Sequence, residues 1–196
     1  VEGCAKRPPI LGWVSLPLGV VTLAESFHDE EPGWYDRMVQ HVRERLQEMD
    51  AAARFGPLFA AGRGQLIGNS GTVTSLAGVH LNLERYLRSA VDGVWMSRDG
   101  ADEARRRLHD KTRDERALEP CIGPERADLV LAGCAILDAV WSLWPAPKLR
   151  VGDRGLREGI LLSMIHGGGN ARTKRRRRNG RTGAPKAAIT APGVAT

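Results

Sequence analysis

Cysteine is scarce: Cys4, Cys121 and Cys134 are the only three in a chain of 196 residues. Their spacing suits neither a disulfide framework nor a closed zinc site, so a reducing, cytoplasmic setting is expected. Aromatic residues make up only 5% of the chain. No apolar run approaches the roughly 20 residues that cross a bilayer, and no apolar region with a cleavage site follows Lys6 and Arg7, so neither a membrane span nor a secretory signal is expected. His28, His41, His80, His109 and His166 lack metal-ligand spacing. No paired histidine marks Cys121 or Cys134 as a nucleophile, and both read as small buried hydrophobes.

Acidic residues are missing from 167–196, and that absence explains the net charge of +6. Eight of the 29 basic side chains lie there, including the run Lys174-Arg175-Arg176-Arg177-Arg178. Residues 1–166 therefore hold the other 21 basic and all 23 acidic side chains, a net of −2. The body is not a general nucleic-acid binder. The tail, rich in Gly, Pro, Ala and Thr, is expected to be disordered. It has no aromatic residue for base stacking, so any contact with RNA, acidic lipid or polyphosphate would be nonspecific.

What is present in 1–166 is apolar periodicity of both kinds. Residues 13–23 are β-branched and apolar, interrupted by Pro17 and Gly19, and predict strand material with a bulge or turn. Trp34, Met38, Val42, Leu46, Met49 and Ala53 form a helical stripe that starts after Pro32-Gly33 and ends at Gly56-Pro57. Gln65-Leu66-Ile67 predicts a short buried strand, followed by a helix of small residues containing Val73, Leu76 and Ala77. Ser97 is an expected N-cap, and Thr112-Arg113-Asp114-Glu115 has capping-box spacing. An apolar helix is expected over 125–144 with Pro124 at its start. Leu149-Arg150-Val151 then forms a last strand and Leu156–Ile165 a last helix. Strands alternating with helices predict an α/β lobe.

Three places carry the chemistry. Gly68-Asn69-Ser70-Gly71-Thr72 joins a strand to a helix, where two glycines allow a tight bend and the first amides of the helix face outward. Either a simple tight turn or a phosphate-receiving bend satisfies this pattern. Asp153-Arg154-Gly155-Leu156-Arg157-Glu158-Gly159 follows the last strand in the same way. It is either a second anion-facing turn or a helix start capped by Asp153. Arg126 either aims its guanidinium at a phosphate or pairs with Glu125 or Asp128. Arg105-Arg106-Arg107, beside Glu103 and Asp110, reads as a solvated face.

In chain order, Ser15-Leu16-Pro17-Leu18-Gly19-Val20-Val21-Thr22-Leu23-Ala24-Glu25, Ile67-Gly68-Asn69-Ser70-Gly71-Thr72, Glu125-Arg126-Ala127-Asp128 and Asp153-Arg154-Gly155-Leu156-Arg157-Glu158-Gly159 resemble the exopolyphosphatase/guanosine pentaphosphate phosphohydrolase (Ppx/GppA) family. The resemblance covers nearly all of 1–166. It implies the α/β, ribonuclease H-like second lobe of an actin-like ATPase-superfamily fold over 1–166, with 167–196 a basic tail outside it. It also implies a Mg²⁺-assisted hydrolase that releases terminal phosphate from polyphosphate or guanosine pentaphosphate, acting as a homodimer in the full-length family. Gly68, Ser70, Gly71 and Thr72 match the family's phosphate-contacting loop, and Arg126 a cleft arginine. The family's Asp-x-Gly-Gly-Gly-Ser loop, its first-lobe phosphate loop and the glutamate taken as general base would fall upstream of Val1. No residue here inherits the catalytic role or a place as a magnesium ligand, and the chain alone is expected to be inactive. The lobe is also expected to expose apolar surface that invites self-association. A non-catalytic lobe that holds a phosphorylated ligand remains the alternative.

Overall fold

A computed structural model of the chain describes residues 15–27 and 31–165, without the side chains of 50–53. Cys4, Trp13, Val14, His28, His166 and the 167–196 tail, with the expectations attached to them, lie outside the described residues. The chain divides into two compact units, Val1–Gly155 and Leu156–Thr196. Within the second, residues 156–165 are helical.

The first unit begins with a helix where the sequence predicts a strand. α1 (Val20–Ser26) forms because Thr22 Oγ1 bonds both the amide and the carbonyl of Gly19 at 3.0 Å, capping a first turn. Leu23 is 2% exposed, and burial against other helices overrides the β-propensity of Val20-Val21-Thr22. The long stripe predicted after Pro32-Gly33 is two helices, α2 (Trp34–Gln47) and α3 (Asp50–Ala60). The break falls at Met49, whose backbone is extended, and Pro57 lies inside α3 instead of ending it. Met38, Val42 and Leu46 are buried as the periodicity requires.

β1 (Leu66–Gly68) then leads into α4 (Gly71–His80), followed by α5 (Arg88–Val91), β2 (Trp95–Ser97), α6 (Arg98–His109) and α7 (Arg113–Ala117). Ser97 and Thr112 cap as predicted: Ser97 Oγ accepts from the Gly100 amide at 3.0 Å, and Thr112 exchanges bonds with Glu115. The apolar helix, α8 (Val130–Leu143), starts six residues later than Pro124. The Ala127 carbonyl is taken by the buried Arg116 guanidinium at 3.0 Å, so residues 124–129 close as turns.

β3 (Lys148–Val151) completes a sheet of order β1-β3-β2, parallel to β1 and antiparallel to β2. Met96, Leu149 and Val151 are buried on one face. The other face carries Ile67, Arg150 and Trp95 in one register row, with Ile67 68% exposed. β1 therefore alternates and is not the fully buried strand expected from Gln65-Leu66-Ile67. α4 and α6 contact the sheet, and α8 packs on α4, α6 and α2 to complete the core. Because β1 and β3 run parallel and each exits into a turn, both turns lie at the same end of the sheet.

Candidate functional site

At that end, the Gly152 amide donates to the Gly68 carbonyl at 2.8 Å, and Asn69 Nδ2 to the Arg154 carbonyl at 3.4 Å. The two turns are thus stitched together. An open cleft of about 430 Å³ lies beside them, lined by Asn69, Ser70, Gly71, Thr74, Tyr86, Arg126, Asp153 and the segment Pro120–Gly123.

Each sequence-predicted residue has a defined place here. Ser70 is the N-cap of α4, its Oγ accepting from the Val73 amide at 3.2 Å. That satisfies the third amide of the helix; those of Gly71 and Thr72 have no intrahelical acceptor. Gly71 sits at the mouth of the cleft, where a Cβ would stand 3.4 Å from the guanidinium carbon of Arg126. Arg126 lies flat over this point, Nη1 donating to Ser75 Oγ at 2.9 Å and to the Gly71 carbonyl at 3.4 Å. Asp128, one of the two surface partners the sequence offered as the alternative, pairs with Arg113 of α7 at 2.9 Å.

Gly68 and the Thr72 side chain turn elsewhere. A Cβ on Gly68 would come within 2.9 Å of a Val73 methyl, so the bare residue lets α4 close onto β1. Thr72 packs against Gly133 of α8.

Thr74, Tyr86 and Asp153 are cleft residues that motif reasoning did not single out as a group. Tyr86 is 67 positions from Asp153 in the chain, yet its hydroxyl donates to Asp153 Oδ2 at 2.9 Å. Arg88 binds the same carboxylate at 3.2 Å. Tyr86 and Arg88 thus converge on Asp153 Oδ2. Partial burial raises the Tyr86 phenol above its ordinary value, and Asp153 adds to the rise while Thr74 opposes it. At neutral pH the phenol remains a donor. No sequence period could have found this pair, because it depends on how α5 and β3 come together.

The basic run is not one solvated face either. Arg106 reaches Glu103 on the surface at 2.5 Å, but Arg105 turns inward to Asp138 at 3.1 Å and Arg107 to Glu119 at 3.2 Å. Cys121 and Cys134 are buried, as expected. Burial, helped by Asp138, pushes the Cys134 thiol up to about 12, and burial likewise raises Cys121, leaving both poor nucleophiles. Cys121 stands where a Cβ on Gly78 would meet its sulfur at 2.6 Å, so the 120–123 segment approaches α4 closely.

Among the described residues no three His, Cys, Asp or Glu side chains group to hold a metal ion. The carboxylate lining the cleft, Asp153, is held by Tyr86 and Arg88. A donor set of amides, hydroxyls and a guanidinium suits an anion and does not fit a resident Mg²⁺. Among the described residues no helix is long and apolar enough to cross a membrane.

The fold and cleft define an α/β unit with its open site at the ends of two parallel strands, where such sheets receive ligands. The chain belongs to the Ppx/GppA phosphatase family, whose model matches residues 6–167. It is similar in structure to an exopolyphosphatase from Cytophaga hutchinsonii, with a TM-score of 0.68 and 24% identity over 81% of this chain and 51% of the other. It is also similar to the Aquifex aeolicus member of the Ppx/GppA family, with a TM-score of 0.64 and 24% identity over 78% of this chain and 48% of that one. The chain spans about half the length of these structures. No curated protein matches it.

Proposed function

We propose that residues 1–166 are the ribonuclease H-like second lobe of an actin-like ATPase-superfamily enzyme. That enzyme would hydrolyse the terminal phosphoanhydride of inorganic polyphosphate or of the 5′-triphosphate of guanosine pentaphosphate. One observation carries the reading: the Arg126 guanidinium lies over Gly71, beside the open N-terminus of a ten-residue helix, at the mouth of a cleft. Helix-terminal amides and a guanidinium together suit a phosphoryl group's non-bridging oxygens. In this reading Ser70, Gly71 and Thr72 offer the loop, Gly68 sets its closeness to β1, and Arg126 supplies the charge.

The Mg²⁺ that the family resemblance implies finds no ligand set in this cleft, and no cleft residue is assigned the general base. The chain by itself therefore grips phosphate weakly and does not hydrolyse it. Tripolyphosphate, incubated with the purified chain and Mg²⁺, is expected to release no phosphate above a protein-free control. Release that copurifies with the chain would overturn this. The engagement of Asp153 by Tyr86 and Arg88 favours a second reading, a non-catalytic lobe that holds a phosphorylated ligand. Adding the remaining half of a related enzyme in trans separates the two: restored hydrolysis supports the enzyme, binding without turnover the module. A homodimer, a cytoplasmic location and polyanion contact by 174–178 belong to the same proposal. Comparing the salt dependence of polyphosphate binding with and without 167–196 tests the last of these.

A further inference from the structure

Arg126 is exposed, yet its guanidinium has a fixed seat. Ser75 provides that seat from one turn inside α4. It is 0% exposed, and its hydroxyl oxygen accepts from Arg126 Nη1 at 2.9 Å. An exposed arginine ordinarily spreads over many rotamers, and ordering it costs conformational entropy. Here one nitrogen is anchored in the protein interior. The rest of the fork lies across the bare Gly71, in the first turn of the helix.

The surrounding residues support that geometry. Thr74 Oγ1 donates to the Gly71 carbonyl at 3.1 Å, leaving that oxygen shared between a hydroxyl and the guanidinium. Gly71 and Ser75 are four residues apart and so lie on one face of α4. Even a Cβ on Gly71 would already touch the guanidinium at 3.4–3.5 Å, so side chains longer than alanine there would lift it off the helix.

We propose that Ser75 is a positioning residue for phosphate recognition: its buried hydroxyl holds Arg126 so that the guanidinium and the Gly71 and Thr72 amides address the same phosphoryl group. This rests on the reading of the cleft as a phosphate site. It assigns Ser75, which touches no ligand, a share in affinity that acts entirely through Arg126.

The test uses the full chain, ¹⁵N-labelled and titrated with inorganic tripolyphosphate, followed at the Gly71 and Thr72 amides. Ala at 75 removes only a hydroxyl and favours helix, so the variant is expected to melt close to the wild-type temperature. Ser75→Ala is expected to weaken binding roughly five- to twentyfold, around the lower end of the loss for a bond to a charged group, because the hydroxyl acts only through Arg126. Arg126→Ala weakens it at least as much, and Ser75→Ala added to Arg126→Ala produces no further loss. Wild-type affinity in Ser75→Ala overturns the proposal and leaves the phosphate site standing. A Ser75→Ala loss that persists in full without Arg126 also overturns it, since the hydroxyl would then act by another route. Failure of the wild-type chain to bind tripolyphosphate even at millimolar concentration overturns the phosphate site, and this inference with it.

Discussion

At Gly133, α8 comes close against Thr72 of α4, and a single methyl group decides whether it can. A Cβ there would fall 2.0 Å from Thr72 Oγ1 and 2.7 Å from Thr72 Cβ, a clash that turning the side chain cannot wholly relieve. Alanine's helix propensity returns up to about 1 kcal/mol, whereas overpacking costs about 1–3 kcal/mol or more. Gly133→Ala is therefore expected to lower stability by about 2 kcal/mol, read as a shift of the urea midpoint with unchanged slope. Gly71→Ala separates stability from recognition. Its Cβ would meet only the seated guanidinium of Arg126, at 3.4–3.5 Å, an ordinary van der Waals contact. Stability should stay within about 0.5 kcal/mol of wild type, while tripolyphosphate binding weakens severalfold because the added methyl stands against the fork at the cleft. Equal losses of stability and binding would show that Gly71 serves packing alone.

The elements show which parts of the chain could be read in advance. The caps at Ser97 and Thr112 were legible because a cap is a local bargain among four residues. The stripe through Met38, Val42 and Leu46 was legible because burial repeats at helical spacing. α1 was not: Val20-Val21-Thr22-Leu23 has the composition of a strand, and packing against α8, more than a hundred residues away, joins the Gly19–Thr22 cap in making it helical. The loop at 68–72 and Arg126 were visible as motifs, but the Ser75 seat and the Tyr86–Asp153 pair are products of tertiary approach. The turn after β3 depends on one acid of the same kind. Asp92 accepts from the Asp153 amide at 3.0 Å and from Arg154 Nε at 3.2 Å. Those bonds hold its carboxyl below the usual carboxylate range. A depressed folded value contributes stability above the unfolded value, about 4 for aspartate, and loses it as the pH falls through the folded one. The β3 exit turn should thus loosen only on acidification below about pH 4. A carboxyl-detected NMR titration should find Asp92 titrating below a reference aspartate, and Asp92→Asn should abolish the transition at the Asp153 amide. Titration of Asp92 at the ordinary value would remove this account.

Across the whole molecule, apolar side chains are unevenly hidden. The first unit buries a continuous core, while the helix over 156–165 exposes Leu156, Ile160, Leu161, Leu162, Met164 and Ile165. Six large hydrophobes on ten residues exceed what a stable monomer ordinarily presents to water. Sedimentation velocity is expected to show association that rises with protein concentration. Leu161→Glu combined with Ile165→Lys should return the chain to a monomer. A monomer at every concentration in the unaltered chain would count against it.

The cleft has one further property, which follows from how its walls are made. Its helix side consists of Ser70, Gly71 and Thr74, and its far side is the Pro120–Gly123 segment pressed against Gly78. Few long side chains swing across the opening, and the arginine that reaches it is tethered at its tip. A guest entering such a mouth finds little left to immobilise, so its affinity should be limited by how well it sheds water and matches the donors. Heat measured on ligand entry should accordingly carry a small conformational penalty, and small compact oxyanions should fare nearly as well per atom as extended ones.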